Sequence, residues 1–307
     1  MHQGKVAAIA QVVCFTPSIN EKFNQANWVL GGNLALNDAL QIVSLTDPGR
    51  VRGHNEDCVE SRPELGIVVL ADGMGGYNAG EVASGMATAS ISAGLAESWN
   101  RDALTGLDRD AAKALSQSVV QTQSAKANAA IFAAAQKDPH CAGMGTTLVV
   151  CLFYDDFVTV GHIGDSRLYR MRNEVLEQVT RDHSLLQEQI DSGLITKEDA
   201  RSSHNKNLVT RAVGIDPEVE AEVHSYEVQE DDVFLLCSDG LNDMIEDEEI
   251  QMTLITLRSN LELTAQQLVQ AANDAGGRDN VSVMLVRVAK SFAVERGFWA
   301  TVKSWFR

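Results

Sequence analysis

Apolar positions along the chain follow two different periods. QIVSLTD (41–47) alternates, as a strand with one buried face does, and GIVVLAD (66–72) is a short unbroken apolar run closed by Asp-Gly. Residues 79–99 and 109–137 are long, Ala-rich and free of proline, with small and apolar residues at helical spacing, and predict two helices. TTLVVCLF, FVTVGHIGD and RLYRMR then read as neighbouring antiparallel strands joined by turn residues such as Asp155-Asp156. Residues from about 181 to 210 are polar, with Thr196 and Asp199 spaced like a helix start, and predict an inserted surface lobe. DVFLLCSD (232–239) is another apolar run ending in Asp-Gly, and helices near 246–257 and 262–275 lead to a last strand, VSVMLVRV (281–288). Residues 1–40 carry no sustained period and predict an N-terminal extension. No repeat or low-complexity linker divides the remainder, so the pattern predicts one layered α+β domain over 41–289, followed by a tail at 290–307.

Composition narrows the partners. The chain has 307 residues and a formal net charge of −17. Length alone allows about two domains of ~150 residues, or a single α/β domain of up to ~250. A surface this acidic argues against nucleic acid, whose phosphates need a basic face, and against a broad patch of anionic lipid. No run approaches the ~20 apolar residues of a membrane span. The start, MHQGKVAAIAQVVCF, offers no good small-residue cleavage site and is read as no signal peptide. Five cysteines without CxxC spacing suit a reducing compartment, so a cytoplasmic location is expected. Basic and aromatic residues mix in the tail, which is expected to dock as a helix on the body rather than lie on a membrane.

The chemistry is expected where the aspartates fall. Asp72, Asp165 and Asp239 each end an apolar strand run and precede a small residue, while Asp279 stands just before the last strand. In antiparallel pairs, the C-terminal end of one strand lies beside the N-terminal end of its neighbour, so all four can meet at one sheet edge. Clustered carboxylates in a low dielectric resist ionisation, and a pair of divalent cations removes that conflict. Oxygen-only donors, without adjacent His or Cys, select Mg²⁺ or Mn²⁺ over zinc. Gly73, lacking a side chain, would let its carbonyl approach such an ion. Arg52 is suited to gripping a phosphate through paired hydrogen bonds. Glu56 is placed to orient a water at the metal, and Asp57 to hold Arg52. Other phosphate and nucleophile motifs fail: the Cys141 loop has Thr147 where an arginine is required, and Gly164-Asp165-Ser166 meets Leu168 where a nucleophile elbow needs glycine.

VRGHNED, LADGMGG, GMGTT, GDSRLYR, HNKNLVTRAVG, CSDGL and GGRDNVSV stand in the order found in PP2C-type (PPM) metal-dependent protein serine/threonine phosphatases, and the chain resembles the bacterial form over about 41–289. The resemblance implies a four-layer αββα sandwich of two antiparallel sheets flanked by helices, with the 181–210 lobe as a flap beside the active site. It implies that Asp72 bridges two metals, with the Gly73 carbonyl on one of them and Asp239 and Asp279 on the other. Asp165, with Asp239, is similar to the ligands of a third, weaker metal. Arg52 matches the phosphate-binding arginine, and Glu56 a residue that reaches a metal through water. Animal members carry His at the position of Met74, where it is proposed as the general acid; the DGMGG form is similar to bacterial members.

The expected activity is therefore hydrolysis of phosphoserine and phosphothreonine in proteins, by direct in-line attack of a hydroxide held between two Mn²⁺ or Mg²⁺ ions without a phosphoenzyme. The phosphoproteins are expected to be substrates of a cognate bacterial Ser/Thr kinase, and the protein to be a monomer. The alternative is a catalytically silent protein of the same fold that binds phosphoproteins as a scaffold; retention of every expected ligand disfavours it.

Overall fold

Strand β3 (Ile67–Met74) shows how the layers form. Ile67, Val69 and Ala71 face one apolar cluster, whereas Val68 and Leu70 face another, so both sides of the strand are covered. The computed structural model describes residues 36–76, 79–196, 199 and 208–294. In chain order the regular elements are α1 (Leu36–Ala39), β1 (Leu40–Asp47), β2 (Asp57–Arg62), β3, α2 (Ala79–Ser98), α3 (Arg109–Lys137), β4 (Gly145–Thr146), β5 (Leu148–Tyr154), β6 (Phe157–Ile163), β7 (Arg167–Arg172), β8 (Val175–Gln178) and α4 (Leu185–Asp191). There follow β9 (Glu222–Glu227), β10 (Val233–Cys237), α5 (Asp239–Asn242), α6 (Asp247–Leu257), α7 (Leu261–Asp274) and β11 (Val281–Val288).

One sheet has the order β1-β11-β10-β7-β8 and the other β2-β3-β5-β6-β9, with β4 added to β3. Every pairing is antiparallel. The sheets meet face to face over Val68, Leu70 and Phe153 from one and Phe234, Leu236 and Met284 from the other. Phe153 and Phe234 meet edge to face at 5.5 Å, a geometry that contributes about 0.5–1.5 kcal/mol beyond burial itself. Helices α2 and α3 cover the outer face of the second sheet, and α6 and α7 that of the first. The result is the expected αββα sandwich.

Helix α2 buries Ala79, Ala83, Ala87, Ile91 and Leu95, one residue every turn, and the small ones let its axis approach the sheet closely. Asp108 starts α3 by accepting from the Ala111 N–H, and Asn260 starts α7 by accepting from the Leu263 N–H. Thr196 and Asp199 make the reciprocal bonds of a capping box.

The packed body extends past the expected boundaries. Leu36 and Ala39 are buried between the sheets, and Phe292 is buried near the other end, held by its N–H donating to Asp156. The other residues of the expected extension (1–35), of the flap (197–198 and 200–207) and of the tail (295–307) lie outside the described residues. Strands β2, β8 and β9 went unread in the sequence because they are sheet edges, where half-exposed positions break the apolar signal.

Candidate metal centre

The strand order brings the separated aspartates to one end of the sandwich. Asp72 lies near the C-terminal end of β3, Asp165 in the turn from β6 to β7, Asp239 at the first position of α5 after β10, and Asp279 two residues before β11. All four line one cleft of about 200 Å³, together with Gly73, Arg52 and Glu56. The convergence expected of the four carboxylates is present.

Backbones cross closely around them. A Cβ at Gly73 would stand 2.1 Å from the Gly80 carbonyl oxygen and 2.6 Å from that of Glu56, and one at Gly240 would stand 2.0 Å from that of Asn280. Glycine is therefore required at these positions whether or not its carbonyl meets a ligand. Gly73 donates its N–H to the Glu56 carbonyl at 3.1 Å, and Ser84 on α2 donates to the same oxygen at 2.6 Å.

The electrostatics are those of an anionic cage. Burial pushes the carboxyls of Asp72 and Asp239 well above the ordinary range; the neighbouring charges of Asp57 and Asp239 add to the shift at Asp72, and those of Asp165 and Asp243 to that at Asp239. Burial likewise raises Asp165 to about 6, reinforced by Asp182, and raises Glu56. Against these, among the described residues, stands one cationic side chain lining the cleft, Arg52, whose Nη2 donates to Asp279 Oδ2 at 2.7 Å. Asp57 Oδ1 is buried and has no hydrogen-bond partner. Surplus negative charge, an orphaned carboxylate oxygen and donors made only of oxygen fit hard divalent cations.

One expected role is not met in the structure. Asp57 does not orient Arg52; it opens β2 directly opposite Asp72, accepts from the Ser238 hydroxyl at 2.8 Å, and is buried away from the rim where Arg52 sits half-exposed. Arg52 is held by Asp279 instead. Met74 lines the cleft, and its thioether has no proton to give.

Several residues were assigned no role in the sequence. Thr147 lies in the cleft, where its Oγ1 accepts from the Asp72 N–H at 2.9 Å and shares a 2.7 Å bond with the Ser166 hydroxyl. Asn280 fastens the Arg52 loop: its Oδ1 accepts from the Glu56 N–H, and its Nδ2 donates to the carbonyls of Pro48 and His54. Val209, at the base of the flap, closes one side of the cleft. A separate group, His162, His183 and Glu222, places its nitrogen and oxygen donors within 4.8 Å of one another behind Asp165.

Residues 54–280 match the family model described as protein phosphatase 2C. The chain belongs to the protein phosphatase 2C family. It is 38% identical over 244 residues to the serine/threonine phosphatase Stp of Listeria innocua, covering 78% of this chain and 93% of that protein. The crystal structure of the Mycobacterium tuberculosis serine/threonine phosphatase PstP superimposes with a TM-score of 0.71 at 36% identity, covering 81% of this chain and 99% of that one. The PstP catalytic domain in complex with two manganese ions does so with a TM-score of 0.70 at 35% identity, covering 82% and 99%. The two antiparallel sheets and their flanking helices are thus the 2C phosphatase fold.

Proposed function

We propose that this chain hydrolyses phosphoserine and phosphothreonine in proteins with the help of two Mn²⁺ or Mg²⁺ ions, and that it opposes a bacterial Ser/Thr kinase. The observation that carries the reading is the meeting of Asp72, Asp165, Asp239 and Asp279 in one cleft with Arg52 at its rim. The PstP relative holds two manganese ions on the same fold, and the family's named members are serine/threonine phosphatases, which favours turnover over a scaffold role.

In this reading Asp72, the Gly73 carbonyl, Asp239 and Asp279 hold the ion pair, and Asp165 with Asp239 holds a third, weaker ion. The bound ions would supply Lewis acidity, acidifying water and offsetting charge on the phosphoryl oxygens. Arg52 binds the phosphate through its guanidinium fork, and its bond to Asp279 aims that fork at the carboxylate cluster. Glu56, its carboxyl raised by burial, lines the cleft and would reach a metal through water. Thr147 and Asn280 fix the backbones of Asp72 and Glu56, so the groups meet the substrate already in place. Because Met74 cannot donate a proton, the leaving alkoxide takes one from another source. Substrates are phosphoproteins, and the working unit is a monomer. Among the described residues no helix is long and apolar enough to cross a membrane.

The test is hydrolysis of a phosphothreonine peptide by the purified chain. Phosphate release with Mn²⁺, abolished by EDTA and restored by added Mn²⁺, is the expected result. Stoichiometric binding of the phosphopeptide without release would favour the scaffold reading.

A further inference from the structure

His183 follows Asp182 in the segment that leads from β8 into the flap, and it is buried. It grips both backbone polar groups of a single residue, Gly164. The His183 N–H donates to the Gly164 carbonyl at 2.8 Å, and the Gly164 N–H donates to His183 Nδ1 at 3.1 Å. Gly164 immediately precedes Asp165. It has φ +105°, and a Cβ there would stand 2.7 Å from Thr147 Cγ2, so the turn has no room to slide toward β5. The turn is held between Thr147 on one side and His183 on the other.

The same histidine closes the base of the flap. Its carbonyl accepts from the Thr210 N–H at 2.8 Å, Ser184 bridges to Val209, and the Leu185 N–H reaches the Leu208 carbonyl at 2.9 Å. Val209 lines the cleft with Asp165. One residue therefore joins the two: its main chain pairs with the returning end of the flap, and its imidazole takes the N–H of the turn that carries a cleft carboxylate.

The ring is set by a relay rather than by an ion. Because Nδ1 accepts from Gly164, the ring proton of neutral His183 is on Nε2, which points at Glu222 Oε2, 3.4 Å away; the other oxygen of Glu222 meets His224 Nε2 at 3.1 Å. A cation among His162, His183 and Glu222 would need a lone pair on that same Nε2. With its ring so bonded, His183 holds the turn.

We propose that His183 is a positioning residue for Asp165: by clamping Gly164 it fastens the base of the flap to the turn that presents the Asp165 carboxylate to the weaker cation site. This rests on the reading of Asp165 as a cation ligand given above. It predicts that loss of the imidazole acceptor alone, with the main-chain bonds of His183 to Thr210 and Gly164 left in place, weakens the weaker cation site.

The experiment compares full-length wild type with His183→Leu, which removes the acceptor, and His183→Asn, whose amide oxygen can replace Nδ1. Free Mn²⁺ is followed by electron paramagnetic resonance as metal-free protein is titrated, and phosphopeptide kinetics are measured alongside. The tight pair of sites is expected to be unchanged in all three proteins. The weaker site is expected to lose about tenfold in affinity in His183→Leu, with more Mn²⁺ needed for full kcat and KM unchanged, and to recover in His183→Asn. If His183→Leu does not fold, Glu222→Ala, which frees the Nε2–H on an exposed edge, is expected to weaken the same site alone. Equal behaviour of the Leu and Asn variants, equal weakening of tight and weak sites, or stoichiometric zinc binding abolished by His162→Ala would overturn the inference. Wild type that binds two Mn²⁺ ions with no weaker class overturns this inference alone; wild type that binds none overturns the reading of the cleft as well.

Discussion

Asp57 and Asp72 stand directly opposite each other in the β2–β3 register, two neighbouring carboxylates of which Asp72 lines the cleft, with one Asp57 oxygen buried and unpartnered. From the first sheet's side, Ser282 and the Ser238 hydroxyl, the latter donating at 2.8 Å, stabilise the ionised form of Asp57. Two such charges side by side in a buried setting oppose folding unless one is protonated or a cation lies close.

Asp57→Asn isolates that conflict. Burial raises the Asp57 carboxyl to about 6 in the folded protein. A carboxyl raised on folding contributes stability that is complete below its unfolded value of ~3.9 and lost as pH rises through about 6. Asparagine mimics the protonated form at every pH. In EDTA, wild type is therefore expected to gain about 1 kcal/mol relative to Asp57→Asn as pH falls from ~7 to ~5, measured by urea denaturation. A gap that stays constant or moves the other way contradicts the assignment.

Asp239→Asn and Asp279→Asn each remove a proposed ligand without removing volume. Turnover of a phosphothreonine peptide at saturating Mn²⁺ is expected to fall by at least about 100-fold, with circular dichroism unchanged. Metal-free Asp239→Asn is expected to melt no lower than wild type, because burial and the Asp165 charge both oppose the ionised form of Asp239. Full activity in either variant would remove that residue from the ion pair.

Arg52→Ala acts on substrate. Loss of charge-assisted hydrogen bonds to phosphate is expected to weaken binding by about 1.5–3 kcal/mol, read as a KM raised by roughly 10- to 100-fold. An unchanged KM would show that the guanidinium serves only to pair with Asp279.

Asn280→Ala would leave the Glu56 N–H and the Pro48 and His54 carbonyls without their partner. A loss of about 1–3 kcal/mol in urea denaturation is expected, along with a raised KM, because the loop that carries Arg52 is no longer held. Loss of stability with unchanged kinetics would make Asn280 structural only.

Three of the cleft carboxylates were legible because apolar strands that end in Asp announce themselves locally, at Asp72, Asp165 and Asp239. Asp57 was misassigned because chain proximity to Arg52 suggested a pair, whereas the register of β2 turns its side chain toward Asp72. The His183–Gly164 clamp was illegible: its partners lie 19 residues apart and its second contact, Glu222, 39 residues further on, joined only once β9 pairs with β6. Leu36 was read as extension because a helix of four residues is too short to display a period.

The most direct measurement is anomalous scattering from crystals soaked in Mn²⁺, collected above and below the manganese edge. Two strong peaks in the cleft, within bonding distance of Asp72, Asp239 and Asp279, are the expected result. A cleft without peaks, or manganese bound only elsewhere on the acidic surface, would contradict the claim that these carboxylates gather to hold the ions that drive phosphate hydrolysis.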